Sequence, residues 1–297
     1  MASAEFEQVL QLLQSMPDLD TQSVEEQRAL GEGFGEMTAD PVGVTFEPVD
    51  AGGVPAEWVR PQDHVPNRVL LYLHGGGYVI GSIASHRKLA GHLAAAAKCS
   101  ALIIDYRLAP EHPHPAAIDD STKAYGWLLA RGFSPGNIAI SGDSAGGGLT
   151  MATLLALRDA GTPLPAAAAP MSPWVDLEGS GASMQSRADV DPLVQAAGLK
   201  GMADHYLNGS DPRLPSASPL HADLKGLPPL LIQVGDHETL LDDSVRLADA
   251  AEKAGVDVTL EVWPEMIHVF QMGAGNVPEA TRAVARIGEW LIPHFKD

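Results

Sequence analysis

Cysteine is almost missing: Cys99 stands alone among 297 residues. That excludes an intrachain disulfide and any metal site made of several cysteines. Positive charge is scarce too. Nineteen Lys and Arg face 38 Asp and Glu, a net charge of −19 at pH 7 and a pI near 4.8. Such a surface repels a polyanion, so no nucleic-acid partner is expected, nor attachment to an anionic membrane. No apolar run approaches the roughly 20 residues that span a bilayer, so stable membrane association is not expected either. Glu5 and Glu7 occupy the region where a secretory leader would carry basic residues and then an apolar stretch, which makes a cytoplasmic location the expectation. Long repeats and low-complexity linkers are also missing. What is present is ordinary globular material. With 45% apolar and 19% charged residues, the chain can build a core and is too apolar for disorder.

Residues 1–40 differ from the rest. Phe6, Val9, Leu10 and Leu13 recur at helical spacing up to Pro17. Ser23 and Glu26 form a capping-box pattern that opens a second helix, with Leu30, Phe34 and Met37 on one face. Gly31, Gly33 and Gly35 weaken it, each by about 1 kcal/mol relative to Ala. From residue 44 short apolar runs alternate with amphipathic segments. Strands are expected at 44–49, 54–60, 69–73, 101–104, 138–140, 166–169, 230–234 and 258–262. Helical faces are expected at Leu89, Leu93 and Ala96, at Tyr125, Leu128 and Leu129, across 149–157, which is apolar on nearly all sides, at Leu241, Val245 and Ala248, and at Val284, Ile287 and Leu291. Asn276 and Glu279 are expected to cap the last helix. This alternation means an α/β fold with a mostly parallel sheet covered on both faces. Functional residues then belong at the C-terminal ends of the strands. Residues 179–219, rich in Pro, Asp and Ser, interrupt the pattern and read as an inserted piece.

Gly142-Asp143-Ser144-Ala145-Gly146 is a G-x-S-x-G pentapeptide between an apolar strand and a buried helix. That context suits a nucleophile elbow, a sharp strand-to-helix turn with serine at its tip. His74-Gly75-Gly76-Gly77 ends an earlier strand. Its free N–H groups suit a tetrahedral oxyanion, which needs preorganised donors. Gly76, Gly77 and Ala145 are the expected oxyanion hole. A dinucleotide loop would need G-x-G-x-x-G and an acid about 20 residues on, and the match is poor. Downstream, Asp236, Glu238, Asp242 and Asp243 follow one strand and His268 follows the last. Serine, acid, histidine is the chain order of a hydrolase triad. His268 is the expected base for Ser144; the residues alone leave the four carboxylates open. His112-Pro113-His114 offers two nitrogens and no third ligand, so no metal is expected. Cys99 reads as a small buried hydrophobe.

These motifs, with Asp105-Tyr106-Arg107-Leu108-Ala109-Pro110-Glu111, Ser172-Pro173-Trp174 and Ser218-Pro219-Leu220, resemble the hormone-sensitive-lipase-like family of bacterial carboxylesterases from about residue 70 to the C-terminus. The resemblance implies the α/β-hydrolase fold, with about eight strands and a helical cap. It implies that residues 1–40 form one part of the cap, and that 41–297 form the catalytic domain with a second cap piece at about 179–219. It implies a serine esterase without a cofactor, acting with water on short- to medium-chain acyl esters. Its acid is followed by any residue, Leu, any residue and Asp, a pattern that Glu238-Thr239-Leu240-Leu241-Asp242 fits and Asp236 does not. Phe34, Met37, Tyr206 and Leu207 are candidate acyl-pocket residues, with plain cap packing as the competing reading. Two other classes compete: a non-enzymatic small-molecule receptor on the same fold, against which the presence of His268 argues, and a lipase on longer chains. A homodimer is a further expectation, since one sheet edge ends in the strand 258–262.

Overall fold

The apolar runs become eight strands of one sheet: β1 (Val44–Asp50), β2 (Pro55–Pro61), β3 (Val69–Leu73), β4 (Ser100–Ile104), β5 (Ile138–Asp143), β6 (Ala167–Met171), β7 (Leu230–Gly235) and β8 (Val258–Trp263). Their order is β1-β2-β4-β3-β5-β6-β7-β8. β2 runs antiparallel to both neighbours and every other pairing is parallel. This computed structural model describes residues 2–15 and 22–296; Pro17, the expected stop of the first helix, lies outside them. The helices are α1 (Ala4–Gln14), α2 (Val24–Glu32), α3 (Ile83–Ala96), α4 (Ala116–Ala130), α5 (Ala145–Asp159), α6 (Ser183–Ser186), α7 (Ala196–Leu207), α8 (Leu241–Lys253) and α9 (Pro278–Leu291). No helix among the described residues is long and apolar enough to cross a membrane.

Period-two alternation splits each inner strand between two cores. Leu71, Leu73, Leu102, Ile104, Ile138, Ile140, Leu230 and Ile232 face α4, α5 and α8. Leu70, Tyr72, Ala101, Ile103, Ala139, Ala167 and Leu231 face α3 and α9. Both faces are covered, so strands β3 to β7 are buried along their whole length rather than alternating between core and solvent. Six parallel strands, β3 to β8, therefore deliver their following loops to one edge of the sheet.

The segments outside this layer depart from the sequence expectations at several points. Ser23 and Glu26 form the expected capping box. The α-helix, however, ends at Glu32, and Gly33–Met37 tighten into a 3-10 turn. Gly35 explains the tightening: a Cβ there would sit 3.1 Å from the Ala84 carbonyl oxygen of α3. The N-cap of α9 is Val277, with Pro278 at the first helical position, where its missing N–H costs nothing. Asn276 instead donates to the Met37 carbonyl at 2.9 Å. Glu279 accepts from the N–H and Oγ of Ser3, at 3.1 and 2.7 Å, and so ties α1 to α9. Phe6 and Leu13 of α1 are buried against Met266, Ile267, Phe270 and Val277.

Candidate active site

The turn from β5 into α5 is held by its backbone. Ser144 sits at φ +52° and ψ −120°, a strained conformation for a residue with a side chain. Its N–H donates to the Met171 carbonyl at 2.9 Å, and its carbonyl accepts from Trp174 N–H at 2.9 Å and Gly148 N–H at 3.0 Å. A Cβ on Gly146 would run into the carbonyl oxygens of Leu73 and His74, and one on Gly142 into those of Gly146 and Leu73. The two glycines of the pentapeptide are thus needed for the close approach of three backbones. The turn presents the Ser144 hydroxyl at the N-terminus of α5, the positive end of the helix dipole.

The loop after β3 doubles back sharply. Gly76 and Gly77 have φ of +109° and +61°, and the Gly76 carbonyl accepts from Val79 and Ile80 N–H at 3.0 and 2.9 Å. Both glycines line the same cavity as Ser144 and His268. Ala145 follows Ser144 as the first residue of α5.

Glu238 is completely buried in the loop between β7 and α8. Its Oε1 accepts from Gly235 N–H at 2.6 Å and from the Ser172 hydroxyl at 2.9 Å. Its Oε2 lies 2.6 Å from His268 Nδ1. Ser172 Oγ in turn accepts from Val269 N–H at 3.2 Å, so one hydroxyl ties the acid loop to the histidine loop. Burial pulls the His268 imidazole down, but the Glu238 hydrogen bond and charge, with Asp191 and Asp143 behind it, outweigh burial and leave its pKa above the ordinary value. The other three carboxylates are engaged elsewhere. Asp236 accepts from Glu265 N–H at 2.6 Å. Asp242 accepts from Ser183 N–H at 3.0 Å. Asp243 accepts from Val175 and Asp176 N–H at 2.9 Å, and burial pushes its carboxyl up to about 7.

The cavity walls come from both outer segments. Phe6, Val9, Phe34 and Met37 line one part, and Leu193, Val194, Leu199 and Met202 another. Tyr206 and Leu207 do not line it, a departure from expectation. Four residues past Met202 are about 6 Å further along the axis of α7. There Tyr206 stacks on Tyr78, ring centroids 3.9 Å apart at 7°, and both Tyr206 and Leu207 belong to the main core. Cys99 is buried on the far side of the sheet layer, and burial raises its thiol to about 12, which leaves no thiolate for chemistry. Among the described residues, Asp176, Glu178 and His221 bring ligand-type atoms within 4.8 Å of one another, but Arg246 and Ser180 already hold Asp176.

Sequence reasoning assigned no role to Ser172 or Asp191. Ser172 follows β6 at the functional edge of the sheet and opens the Ser172-Pro173-Trp174 motif, and these were its available signals. Asp191 accepts from Thr239 N–H at 2.8 Å and so pins the inserted piece to the residue after Glu238; nothing local in the sequence marks it.

A family model described as the alpha/beta hydrolase fold matches residues 70–272. A crystal structure of an esterase from the bacterial hormone-sensitive lipase family superposes with a TM-score of 0.96 over 100% of both chains, at 46% identity. An acetyl-hydrolase of Streptomyces hygroscopicus is 48% identical, covering 98% of this chain and 97% of the relative. An esterase of Acinetobacter venetianus is 38% identical, covering 83% and 82%. The chain belongs to the α/β-hydrolase fold family, and within it to the hormone-sensitive-lipase-like branch.

Proposed function

We propose that the protein is a serine carboxylesterase in which Ser144, His268 and Glu238 form the triad and the N–H groups of Gly76, Gly77 and Ala145 the oxyanion hole. One observation carries this reading: Ser144, His268, Gly76 and Gly77 share one apolar cavity, with Glu238 2.6 Å from the far nitrogen of the imidazole. Ser144 Oγ attacks the ester carbonyl and its proton passes to His268 Nε2. The carbonyl oxygen becomes an oxyanion and takes the three N–H donors. The C–O bond to the alcohol breaks, and the leaving alkoxide takes the proton from His268. Water then attacks the acyl-enzyme, again deprotonated by His268, and Ser144 is released. Glu238 holds the ring in the tautomer that leaves Nε2 free and stabilises the imidazolium.

The substrate class follows from the walls. Side chains of Phe6, Phe34, Met37, Leu199 and Met202 surround the reacting centre, which suits uncharged acyl groups. Residues 1–40 and about 179–219 act as a cap that limits chain length, so esters from butyrate to hexanoate are preferred. The acetyl-hydrolase name of the Streptomyces relative points to the same short end. Two finer readings complete the proposal: a cytoplasmic location, tested by cell fractionation, and a homodimer across the open edge of β8, where Val262 is exposed, tested by light scattering.

The deciding experiment runs p-nitrophenyl esters from acetate to palmitate on wild type and Ser144→Ala. The variant should retain no more than the residual acceleration of about 10³–10⁴ over water that remains without a triad member. An organophosphate should add its mass at Ser144; addition at Ser141 or Ser172, or a preference for palmitate, overturns the reading.

A further inference from the structure

A second histidine–carboxylate pair lies directly behind the loop of Gly76 and Gly77, and the mechanism above leaves it unused. Asp143 precedes the nucleophile and is 3% exposed. Its Oδ1 accepts from the Tyr72 hydroxyl at 2.6 Å and from Gly75 N–H at 3.1 Å. Its Oδ2 lies 3.3 Å from Nε2 of His86, a residue of α3 that is 6% exposed and lines the cavity. One carboxylate thus gathers donors from β3, from the glycine loop and from α3. The fit is close, because a Cβ on Gly75 would run into Asp143 Oδ2.

The Asp143 carboxylate fixes which nitrogen of His86 carries the proton, because it can only accept. His86 Nδ1 is 2.8 Å from Ser85 Oγ, and the Ser85 hydroxyl also donates to the Ser82 carbonyl at 3.0 Å. With Nε2–H directed at Asp143, Nδ1 of the neutral ring accepts from the Ser85 hydroxyl, which then turns from the Ser82 carbonyl. The other titratable groups facing the pair are Tyr72, His74, Tyr106 and His268. Burial drives His74 down to about 3, so it is neutral in the working range. Burial raises Asp143, but His86, Tyr72 and His74 outweigh it and hold the carboxyl below its ordinary value.

We propose that Asp143 and His86 are positioning residues for the oxyanion hole: the carboxylate, held by the His86 ring, anchors the Gly75 peptide and thereby aims the N–H groups of Gly76 and Gly77. Neither side chain touches the reacting atoms. The inference rests on the oxyanion-hole reading above. Its chemical content is an acceptor count. A carboxylate offers two acceptor oxygens to three donors. An amide offers one, and turns an –NH₂ toward a neighbour that is itself a donor. In Asp143→Asn, neutral His86 can change tautomer and accept from that –NH₂ while Nδ1–H donates to Ser85. Imidazolium has no lone pair and cannot.

The test compares kcat and KM for p-nitrophenyl butyrate across about pH 5–8, the range in which histidines change charge. Asp143→Asn should lose about 10- to 100-fold in kcat with KM within twofold, since removal of an oxyanion donor costs about 10²–10³ and a misaimed one less. The loss should deepen toward the acid end beyond the wild-type profile, and the double variant Asp143→Asn/His86→Gln should lack that extra acid loss. His86→Ala should lose about tenfold in kcat. His86→Gln, which keeps a neutral donor, should recover most of it. A merely structural role would lower the melting temperature without an added acid limb. The inference is overturned by a folded Asp143→Asn with wild-type kcat and pH profile. If that variant does not fold, it is overturned by a His86→Ala whose kcat is unchanged or whose defect lies only in KM. Stoichiometric organophosphate labelling of wild-type Ser144, run alongside, separates failure of this inference from failure of the esterase reading.

Discussion

On the sheet side of the cavity, Ser144, Gly142 and Gly146 are locked by carbonyls and N–H groups of neighbouring strands. On the opposite side, residues 2–15 and 22–37 are attached mainly by side chains. Arg28 of α2 donates to the Val79 and Ala109 carbonyls, both at 2.9 Å, and to Glu111 at 2.7 and 2.8 Å. Ser3 bonds Glu279, and Phe6 and Leu13 fill an apolar groove. The difference teaches where change is tolerated. A backbone-locked turn admits almost no substitution at its glycines, because the clash is with atoms that cannot move. A segment held by side chains can be retuned one contact at a time, and this one lines the cavity with Phe6, Val9, Phe34 and Met37.

The largest expected effect breaks the sheet side. Glu238→Gln should keep the fold and lose about 10³–10⁴ in kcat, as when a serine-protease triad carboxylate is neutralised. Asp236→Asn should lose less than about tenfold, because its carboxylate caps the Glu265 turn, lies 3.7 Å from half-exposed His237 and makes no contact with His268. Steady-state kinetics of the purified variants decide between them; the reverse order would put the catalytic carboxylate at Asp236.

The pH profile sharpens the same side. In the proposed mechanism activity needs neutral His268, and its raised pKa should place the acid limb of kcat/KM above the ordinary histidine value. Removing the Glu238 charge removes the main raising influence, so in Glu238→Gln the limb should move to lower pH even as the plateau falls. A limb that stays in place would remove Glu238 as the cause.

The covering side should respond in stability and selectivity. Phe6 is 1% exposed, and Phe6→Ala should cost about 3 kcal/mol by urea unfolding, near the low end for a buried aromatic because one side of the ring faces the cavity. The same variant should raise kcat/KM for octanoate relative to butyrate. The smallest effect belongs to Arg28→Ala, about 1–2 kcal/mol, since the lost hydrogen bonds are charge-assisted but half-exposed. Its kcat for butyrate should stay within about threefold.

The elements that sequence alone determined are those whose cause is local. Strand β3 was read at its observed bounds because five apolar residues meet a run of glycines. The elbow was legible because strand, turn and helix follow one another without a break, with a glycine two positions to either side of Ser144. The Ser23–Glu26 box was legible for the same reason. Tertiary structure decided what depends on loops from separate strands. Asp236, Glu238, Asp242 and Asp243 lie within eight residues, and composition cannot rank them; the family resemblance singled out Glu238. The adjacency of β7 to β6 and β8 puts Glu238 between Ser172 and His268 and turns the other three away. The break of α2 at Glu32 follows from the surface of α3 against Gly35, and the withdrawal of Tyr206 from the cavity from the ring of Tyr78. Neither partner is near in sequence. Local sterics act between residues a few positions apart and leave a pattern that can be read. The choice among equivalent side chains is made by distances that exist only after the sheet has assembled.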